Sequence, residues 1–405
     1  MKIMYLIDFG FDVPNGSNHL VIKMIDEFLM AGHEVYLVQS HSVGKYSNIP
    51  DVLQNREKFV CDIVEKPVIS KGNFVKRYLT GIGYEFKAYR KWKKRIKDYD
   101  IVIHQSHFTS PFSALLLKRY KRKVIFNIYD IFPGEAYTNG SIKSKFVYNV
   151  LSWLQKIIYK NSARIFILTE DMKQTLMRLG VSFHKINVIP NWFDEKAVHN
   201  VAHGNNLFAY EYNLDSTKKY IQYAGTIGVS YDFDLLLDVA KKLSYRTDLV
   251  FQVVGEGIFL EHMKNRAKKE EICNIQFIPW QPLEKISDVY SACTLQIVPL
   301  RKDVIRNAYP SKILPLMACG RIPVFSVEED SCFYREINDN RVGIATPLGD
   351  TEALADSILY LVDNEDERYS MQENAKTYVY QRYTAKDNIN EMIKVFMQMQ
   401  GGKKE

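Results

Sequence analysis

Across 405 residues, no apolar run approaches the roughly eighteen residues that a bilayer-spanning helix needs, so an integral membrane protein is not expected. Cysteine is scarce. Cys61, Cys273, Cys293, Cys319 and Cys332 are odd in number and scattered, with no Cys-x-x-Cys pair, so neither a disulfide framework nor a zinc site is legible. A reducing cytosol is the expected compartment, and with the strand-like Lys2–Ile7 at the start no signal peptide is expected. There is no Walker loop, Gly-x-Ser-x-Gly elbow, His-Glu-x-x-His helix or complete Gly-x-Gly-x-x-Gly fingerprint. Helix-turn-helix, zinc-finger and RNA-binding signatures are also missing, so nucleic acid is not an expected partner.

What is present fits two α/β domains of about two hundred residues each. Hydrophobic content of 46% with 25% charged residues is ordinary for a globular chain. The net charge of +7 is uneven. Residues 1–190 hold 29 Lys/Arg against 16 Asp/Glu, a balance of +13; residues 191–405 hold 25 against 31, a balance of −6. The basic excess gathers in Lys87–Lys97 and Lys118–Lys123. Such clusters are either solvated helix faces or attachments to an anionic membrane leaflet, where each cation contributes about 1 kcal/mol. Leu79, Ile82, Tyr84, Phe86, Tyr89 and Trp92 lead into the first cluster, and aromatics beside lysines suit a membrane interface.

Strand and helix patterns alternate along the first half. Strands are expected at residues 2–8, 34–39, 101–104, 124–128 and 165–168, with helices at 111–120 and 145–160. Residues 9–16 form a glycine-containing loop before a helix that carries Leu20, Met24, Ile25, Phe28 and Leu29 on one side. After an Asn-, His- and Gly-rich linker at Pro190–Leu207, the same alternation resumes with strands at 220–223, 249–254, 275–278 and 295–299. Alternating βα units imply parallel sheets covered on both faces. An amphipathic helix with Ile389, Met392, Ile393, Phe396 and Met397 ends the chain.

The most informative stretch is Tyr309–Val324, Tyr-Pro-Ser-Lys-Ile-Leu-Pro-Leu-Met-Ala-Cys-Gly-Arg-Ile-Pro-Val. Pro310 presets φ at a loop-to-helix junction, Ser311 is placed to cap the N–H groups behind it, and Gly320 stops the helix. A helix start with the Lys312 ammonium beside it would attract an anion; the plainer reading is a capped helix with a surface lysine. The stretch resembles the nucleotide-sugar-binding segment of family 4 glycosyltransferases. The other family landmarks occur in order: Met1–Ile7, Ala31-Gly-His-Glu-Val35, Val188-Ile-Pro-Asn191 with Asp194, Tyr223-Ala-Gly-Thr-Ile-Gly228 and Val254-Gly-Glu-Gly257.

That resemblance implies a GT-B fold: two Rossmann-like, doubly wound domains facing across a cleft, with the last helix crossing back onto the N-terminal domain. The expected boundaries are residues 1–195 for the acceptor domain, 206–383 for the donor domain and 384–405 for the returning helix. The implied reaction is transfer, with retention, from a nucleotide-diphosphate sugar, a UDP-sugar by expectation, to a lipid-linked or growing glycan in bacterial surface polysaccharide synthesis. Neither a metal nor a cofactor is expected; the donor is a substrate. The expected location is cytoplasmic and peripheral to the membrane, and a homo-oligomer is left open.

A diphosphate whose charge grows as the glycosidic bond breaks needs backbone N–H groups and fixed cations. Gly16 and Ser17 are candidates from the first domain. From the second come Gly225, Thr226 and Gly228, Gly255 and Gly257, Arg301, Pro310, Ser311 and Lys312; Gly225 and Gly228 are alternatively plain turn residues. Trp280 either stacks on the nucleobase or fills the core. Asp130, in Asn127-Ile-Tyr-Asp-Ile-Phe-Pro133, either meets the transferred sugar or acceptor hydroxyl or caps a helix. His107 is the cleft-facing histidine candidate and His104 the buried one. Asp232-Phe-Asp234 has the Asp-x-Asp form of metal-dependent transferases of another fold, but stands where a helix cap is expected.

Two departures matter. Family members place two glutamates eight apart, the second for the donor ribose; Asn307 and Pro315 stand at those positions here. Thr226 stands where an arginine is usual. Glu328 and Glu329, in the following loop, are the carboxylates nearest in sequence. A non-catalytic GT-B subunit supporting a partner enzyme is therefore the alternative. A GT-B sugar-nucleotide epimerase fits worse, for want of an acid–base constellation.

Overall fold

The structure, a computed structural model, describes residues 1–12, 17–43, 49–69, 74–138 and 140–401. The chain divides into two compact units: Met1–Tyr137 with Ser141–Asn191 and Ala385–Glu405, and Trp192–Thr384 with Thr138–Gly140.

The first unit is built on seven parallel strands: β1 (Lys2–Leu6), β2 (Glu34–Ser42), β3 (Phe59–Lys66), β4 (Ile101–Gln105), β5 (Val124–Asn127), β6 (Arg164–Ile167) and β7 (Ile186–Val188). Their order is β3-β2-β1-β4-β5-β6-β7. Ile3 pairs with Val35 on one side and with Ile101 on the other. β1 is nearly all apolar and buried because helices cover both faces of a parallel sheet. The strand order reverses between β1 and β4, so the loops after those two strands diverge there and leave a crevice.

Its helices include α1 (Asn18–Met30), α2 (Phe74–Trp92), α3 (Ser110–Leu116) and α4 (Lys145–Lys160). The helix expected to run to Tyr120 stops at Leu116 and gives way to a 3-10 stretch, Lys118–Lys123. Five of those six residues are cations, so the segment has no apolar face to bury and its like charges repel. In α2, Tyr84, Ala88 and Trp92 recur every four residues and are buried. Of the apolar residues that lead into Lys87–Lys97, Tyr84 and Trp92 are thus core, whereas Leu79 and Phe86 are exposed, at 63% and 49%.

The second unit has six parallel strands: β8 (Lys219–Ala224), β9 (Leu249–Val254), β10 (Ile275–Ile278), β11 (Leu295–Pro299), β12 (Pro323–Val327) and β13 (Ile344–Pro347). The order is β10-β9-β8-β11-β12-β13, with its reversal between β8 and β11. One register level carries a glutamine from each of four strands, since Gln296 pairs with Gln222, Gln222 with Gln252, and Gln252 with Gln276. Their side-chain amides form a chain of hydrogen bonds at 3.1, 3.4 and 3.3 Å. A slip of one residue would break every link.

Helices used below are α5 (Phe233–Lys242), α6 (Val304–Asn307), α7 (Ile313–Ala318) and the terminal α8 (Ala385–Gly401). The segment Pro190–Leu207, expected as a linker, is largely packed. Phe193 and Val198 enter the second unit's core, and the N–H groups of His199 and Val201 donate to the Ser287 and Ser291 hydroxyls at 3.2 and 2.9 Å. The terminal α8 lies on the first unit. Its Phe396 ring is 5.6 Å from Phe28 and 6.2 Å from Phe166, and Gln400 donates to the Asp100 carbonyl at 2.9 Å.

Candidate functional sites

In the second unit, every loop of interest leaves the carboxyl edge of the sheet. Gly225 follows β8 with φ +135°; Gly255 and Gly257 follow β9 with φ +144° and +157°. A Cβ on Gly255 would sit 2.0 Å from the Gly225 carbonyl oxygen, and one on Gly257 2.1 Å from that of Ile227. Two hydrogen bonds tie the loops together, Gly225 N–H to Val254 at 2.9 Å and Ile227 N–H to Glu256 at 2.8 Å. The glycines are therefore required for two backbones to touch. Gly228 is different, because a Cβ there would meet only the Thr226 methyl at 3.5 Å. Thr226 is exposed, and its carbonyl accepts from the Tyr223 hydroxyl at 2.6 Å.

Lys312 stands against this loop. Its Nζ lies 3.9 Å from the Tyr223 ring centroid and 4.0 Å from that of Tyr231, and a Cβ on Gly225 would come within 3.0 Å of it. The ammonium is buried and has no hydrogen-bond partner among the described residues. Burial pushes its pKa down to about 7. Two aromatic faces hold the cation, while its three donors stay unused.

Ser311 does not cap the helix, contrary to expectation. It is exposed, and Lys312 occupies the cap position without a side-chain bond. The early donors are met by backbone instead: Ile313 N–H reaches the Pro310 carbonyl and Leu314 N–H that of Ser311, both at 3.1 Å. Pro315 brings no N–H, so no donor is left there for a serine.

Arg301, just past β11, stacks its guanidinium 5.1 Å from the Phe259 ring centroid. Trp280 is not core. It is 58% exposed and walls a cavity of about 150 Å³ with Gly225, Val254, Leu283 and Tyr290. Asp232 caps α5 by accepting from Leu235 N–H at 3.1 Å, while Asp234 is 2.9 Å from both His262 and Arg266. Both carboxylates of that Asp-x-Asp are thus engaged. Glu328 is buried after β12, with one oxygen accepting from Asp303 N–H and the other without a hydrogen-bond partner among the described residues. Glu329 is exposed.

The first unit carries its own site at its own reversal point, a cavity of about 560 Å³ lined by Asp8, Lys66, Arg77, His107 and Asp130 among others. Asp8 follows β1 and His107 follows β4. His107 Nδ1 is 3.4 Å from the Asp8 carboxylate, and its Nε2 is 2.9 Å from that of Glu85. Lys66 Nζ lies 2.9 Å from Asp8. Burial pulls the Asp8 carboxyl upward, but His107 and Lys66 outweigh it and hold the group below its usual range. Glu85 behaves alike: burial raises it, and His107 with His104 drive it well below the carboxylate range.

Glu85, His104 and His107 offer metal-type ligand atoms within 4.8 Å of one another. The Glu85 oxygens already accept from the hydroxyls of Thr109, at 3.2 Å, and Ser113, while His104 Nδ1 and His107 Nε2 make no hydrogen bond of good geometry among the described residues. Asp130 is exposed at the pocket wall on the turn before the cis Phe132–Pro133 bond, four residues ahead of the Gly134–Thr138 helix and so not at its cap. His104 is 2% exposed. Ser17 precedes α1, its carbonyl accepting from Val21 N–H at 3.1 Å, and Gly16 lies outside the described residues.

The expected residues thus fall into two groups, Asp130 with His107 in the first unit and Gly225 with Lys312 and Trp280 in the second. Asp8 and Glu85 went unnoticed in the sequence. Asp8 had a usable signal, as the first polar residue after the first strand. Glu85 had none, since an acid within an amphipathic helix reads as surface.

Two parallel doubly wound units define the class, the GT-B architecture of two-domain glycosyltransferases. Solved structures share it over nearly the whole chain. Anabaena Alr3699/HepE in complex with UDP and glucose superposes with TM-score 0.73 at 12% identity, covering 98% of this chain and all of that one. WaaG, a glycosyltransferase involved in lipopolysaccharide biosynthesis, gives 0.67 at 14% identity, covering 96% and 99%. The first half matches the Glycosyltransferase Family 4 model over residues 14–197 and the second the Glycosyl transferases group 1 model over 208–378, and the chain belongs to this family of glycosyltransferases. Curated relatives include a probable glycosyltransferase, WbjE, of Pseudomonas aeruginosa, 23% identical over 71% of this chain and 72% of that protein. Another is WcaI of Escherichia coli K12, a putative colanic acid biosynthesis glycosyl transferase, 22% identical over 60% of each.

Proposed function

We propose that the protein moves a sugar from a nucleotide-diphosphate donor, a UDP-sugar, to a lipid-linked or growing glycan during surface polysaccharide assembly. Transfer proceeds with retention and without a metal, at the cytoplasmic face of the membrane. One observation carries the donor reading: a buried ammonium at Lys312 with no hydrogen-bond partner among the described residues, beside the Gly225 loop and at the sheet's reversal point. A diphosphate there supplies the missing acceptors, and its growing charge on bond cleavage is met without solvent rearrangement. Trp280 and the apolar cavity suit a nucleobase, and the UDP bound by Alr3699/HepE supports uridine. Glu328 is the carboxylate available in place of the missing family glutamates.

In the first unit, Asp130 and His107 face the same pocket and are the groups for the acceptor hydroxyl or transferred sugar. Asp8 and Glu85 act through His107, holding its ring between two carboxylates. The names of WbjE, WcaI and WaaG support surface glycans as the product class.

The test is release of nucleoside diphosphate from a panel of nucleotide sugars, with and without a polyprenyl-linked glycan, with product anomers read by NMR. Acceptor-dependent release with retained configuration is expected. Because Asn307 and Pro315 replace both family glutamates, tight nucleotide binding without any turnover would transfer the assignment to a non-catalytic subunit.

A further inference from the structure

The first unit exposes an apolar helix face. On α4, Phe146, Val147, Val150 and Trp153 recur at helical spacing and are 76%, 40%, 42% and 65% exposed, while Leu151 and Ile158 point inward. At the start of α2, Val75 and Leu79 are also exposed. Aromatic side chains in water on one helix face mark a surface with a partner.

The surrounding charge identifies that partner. No acidic residue occurs between Glu135 and Glu170, whereas Lys143, Lys145, Lys156, Lys160 and Arg164 all lie there. The four lysines are exposed at the two ends of the stripe. Beyond the last turn, Lys185 donates to the carbonyls of Tyr159 and Ser162 at 3.0 Å. Partial burial and the cations Lys121 and Arg164 depress its pKa, so positive charge converges at this end too. A second copy of the same face would set cations against cations. An anionic bilayer complements both the stripe and its flanks.

The geometry points to this face of α4, with the first turns of α2, as a docking surface for anionic lipid, Phe146 and Trp153 seating at the headgroup–acyl boundary. The surface is joined to the first-unit pocket. Tyr78 and Phe132 pack on the Ile142–Leu151 cluster at the base of α4, and their rings lie 5.9 and 6.3 Å from Phe108, which lines that pocket. Arg77 and Thr80 of α2 line it as well. This half-buried aromatic band is the path for the apolar chain of a lipid-linked acceptor, a point that rests on the glycosyltransferase reading above.

Vesicle co-sedimentation of the full chain tests the docking surface, using phosphatidylcholine with and without phosphatidylglycerol. Binding is expected only to the anionic vesicles, with a blue shift of tryptophan emission that Trp153→Ser removes. Phe146→Ser with Trp153→Ser should weaken it more than about tenfold. Lys145→Ala and Lys156→Ala should each cost roughly fivefold. All four residues are exposed, so thermal unfolding should not move, and UDP binding by the second unit, measured on the same variants, reports separately on the donor reading. Undiminished vesicle binding by the serine variant would overturn the proposal. So would a wild-type dimer, seen by light scattering, that the serine variant dissociates while neither binds vesicles; that result would give the face to a second copy.

Discussion

Lys312 is the residue on which the account turns, and its environment has a thermodynamic signature of its own. Its folded pKa of about 7 lies below the ordinary 10.5, so the folded chain holds fewer protons than the unfolded chain between those values. Stability therefore rises with pH across that window, and the buried charge costs on the order of 4 kcal/mol at neutral pH. Lys312→Met keeps the stem and removes the charge. The variant should melt several degrees above wild type at pH 7, with the gap closing near pH 10; an unchanged melting temperature would contradict the burial argument. The same pKa predicts the pH dependence of donor binding. An anion beside the ammonium raises its pKa, so binding takes up a proton, and affinity should be highest below pH 7 and fall as pH rises above it. A nucleotide sugar is the right ligand for this, because its diphosphate does not titrate in that range. On the other unit, Asp130→Asn should leave nucleotide affinity nearly intact while suppressing turnover. Equal losses in both would place Asp130 at the donor instead.

At the scale of elements, the glycine loops make a contrast that one pair of variants resolves. Gly255→Ala drives a Cβ to 2.0 Å from a carbonyl oxygen at positive φ, so it should destabilise the second unit by more than about 2 kcal/mol in denaturant titrations. Gly228→Ala meets no such obstacle and should leave stability unchanged. If Gly228 lies against the donor phosphates, its variant loses affinity alone; full affinity would make it a plain turn residue. Much at this scale was legible beforehand. Lys145–Lys160 forms one helix because its apolar residues follow the helical period. What pattern could not supply was side. The period that places Trp92 on an amphipathic stripe does not say whether the stripe meets core or solvent, and the same ambiguity hid the exposed face carrying Trp153. The Ser311 cap failed for a similar reason: the residue type was right, but Pro310 and Ser311 carbonyls had already taken the donors.

At the scale of the whole molecule, charge and fold give separate information. The resemblance read from ordered motifs reached the fold because strand-end glycines and helix starts recur at fixed intervals along the chain. It did not reach the Asp8–His107–Glu85 network, which depends on three distant segments meeting at one reversal point. The basic excess of the first half gathers in Lys118–Lys123 and around the carboxyl end of α2, with further lysines on α4; Arg90, Lys91, Lys93 and Lys94 are exposed beside a buried Trp92. Reversing those four to Glu should weaken vesicle binding mainly at low salt, since exposed charges are screened beyond about 8 Å at physiological ionic strength. The Trp153-dependent blue shift should persist on whatever protein remains bound. The central claim, that the second unit holds a nucleotide diphosphate against Lys312, is tested most directly by calorimetric titration of UDP into wild type and Lys312→Ala near neutral pH. A charge-assisted contact in a desolvated site is worth about 2–5 kcal/mol when one partner is removed, so the variant should bind roughly thirtyfold weaker or worse. Equal affinity in the two proteins would contradict the claim.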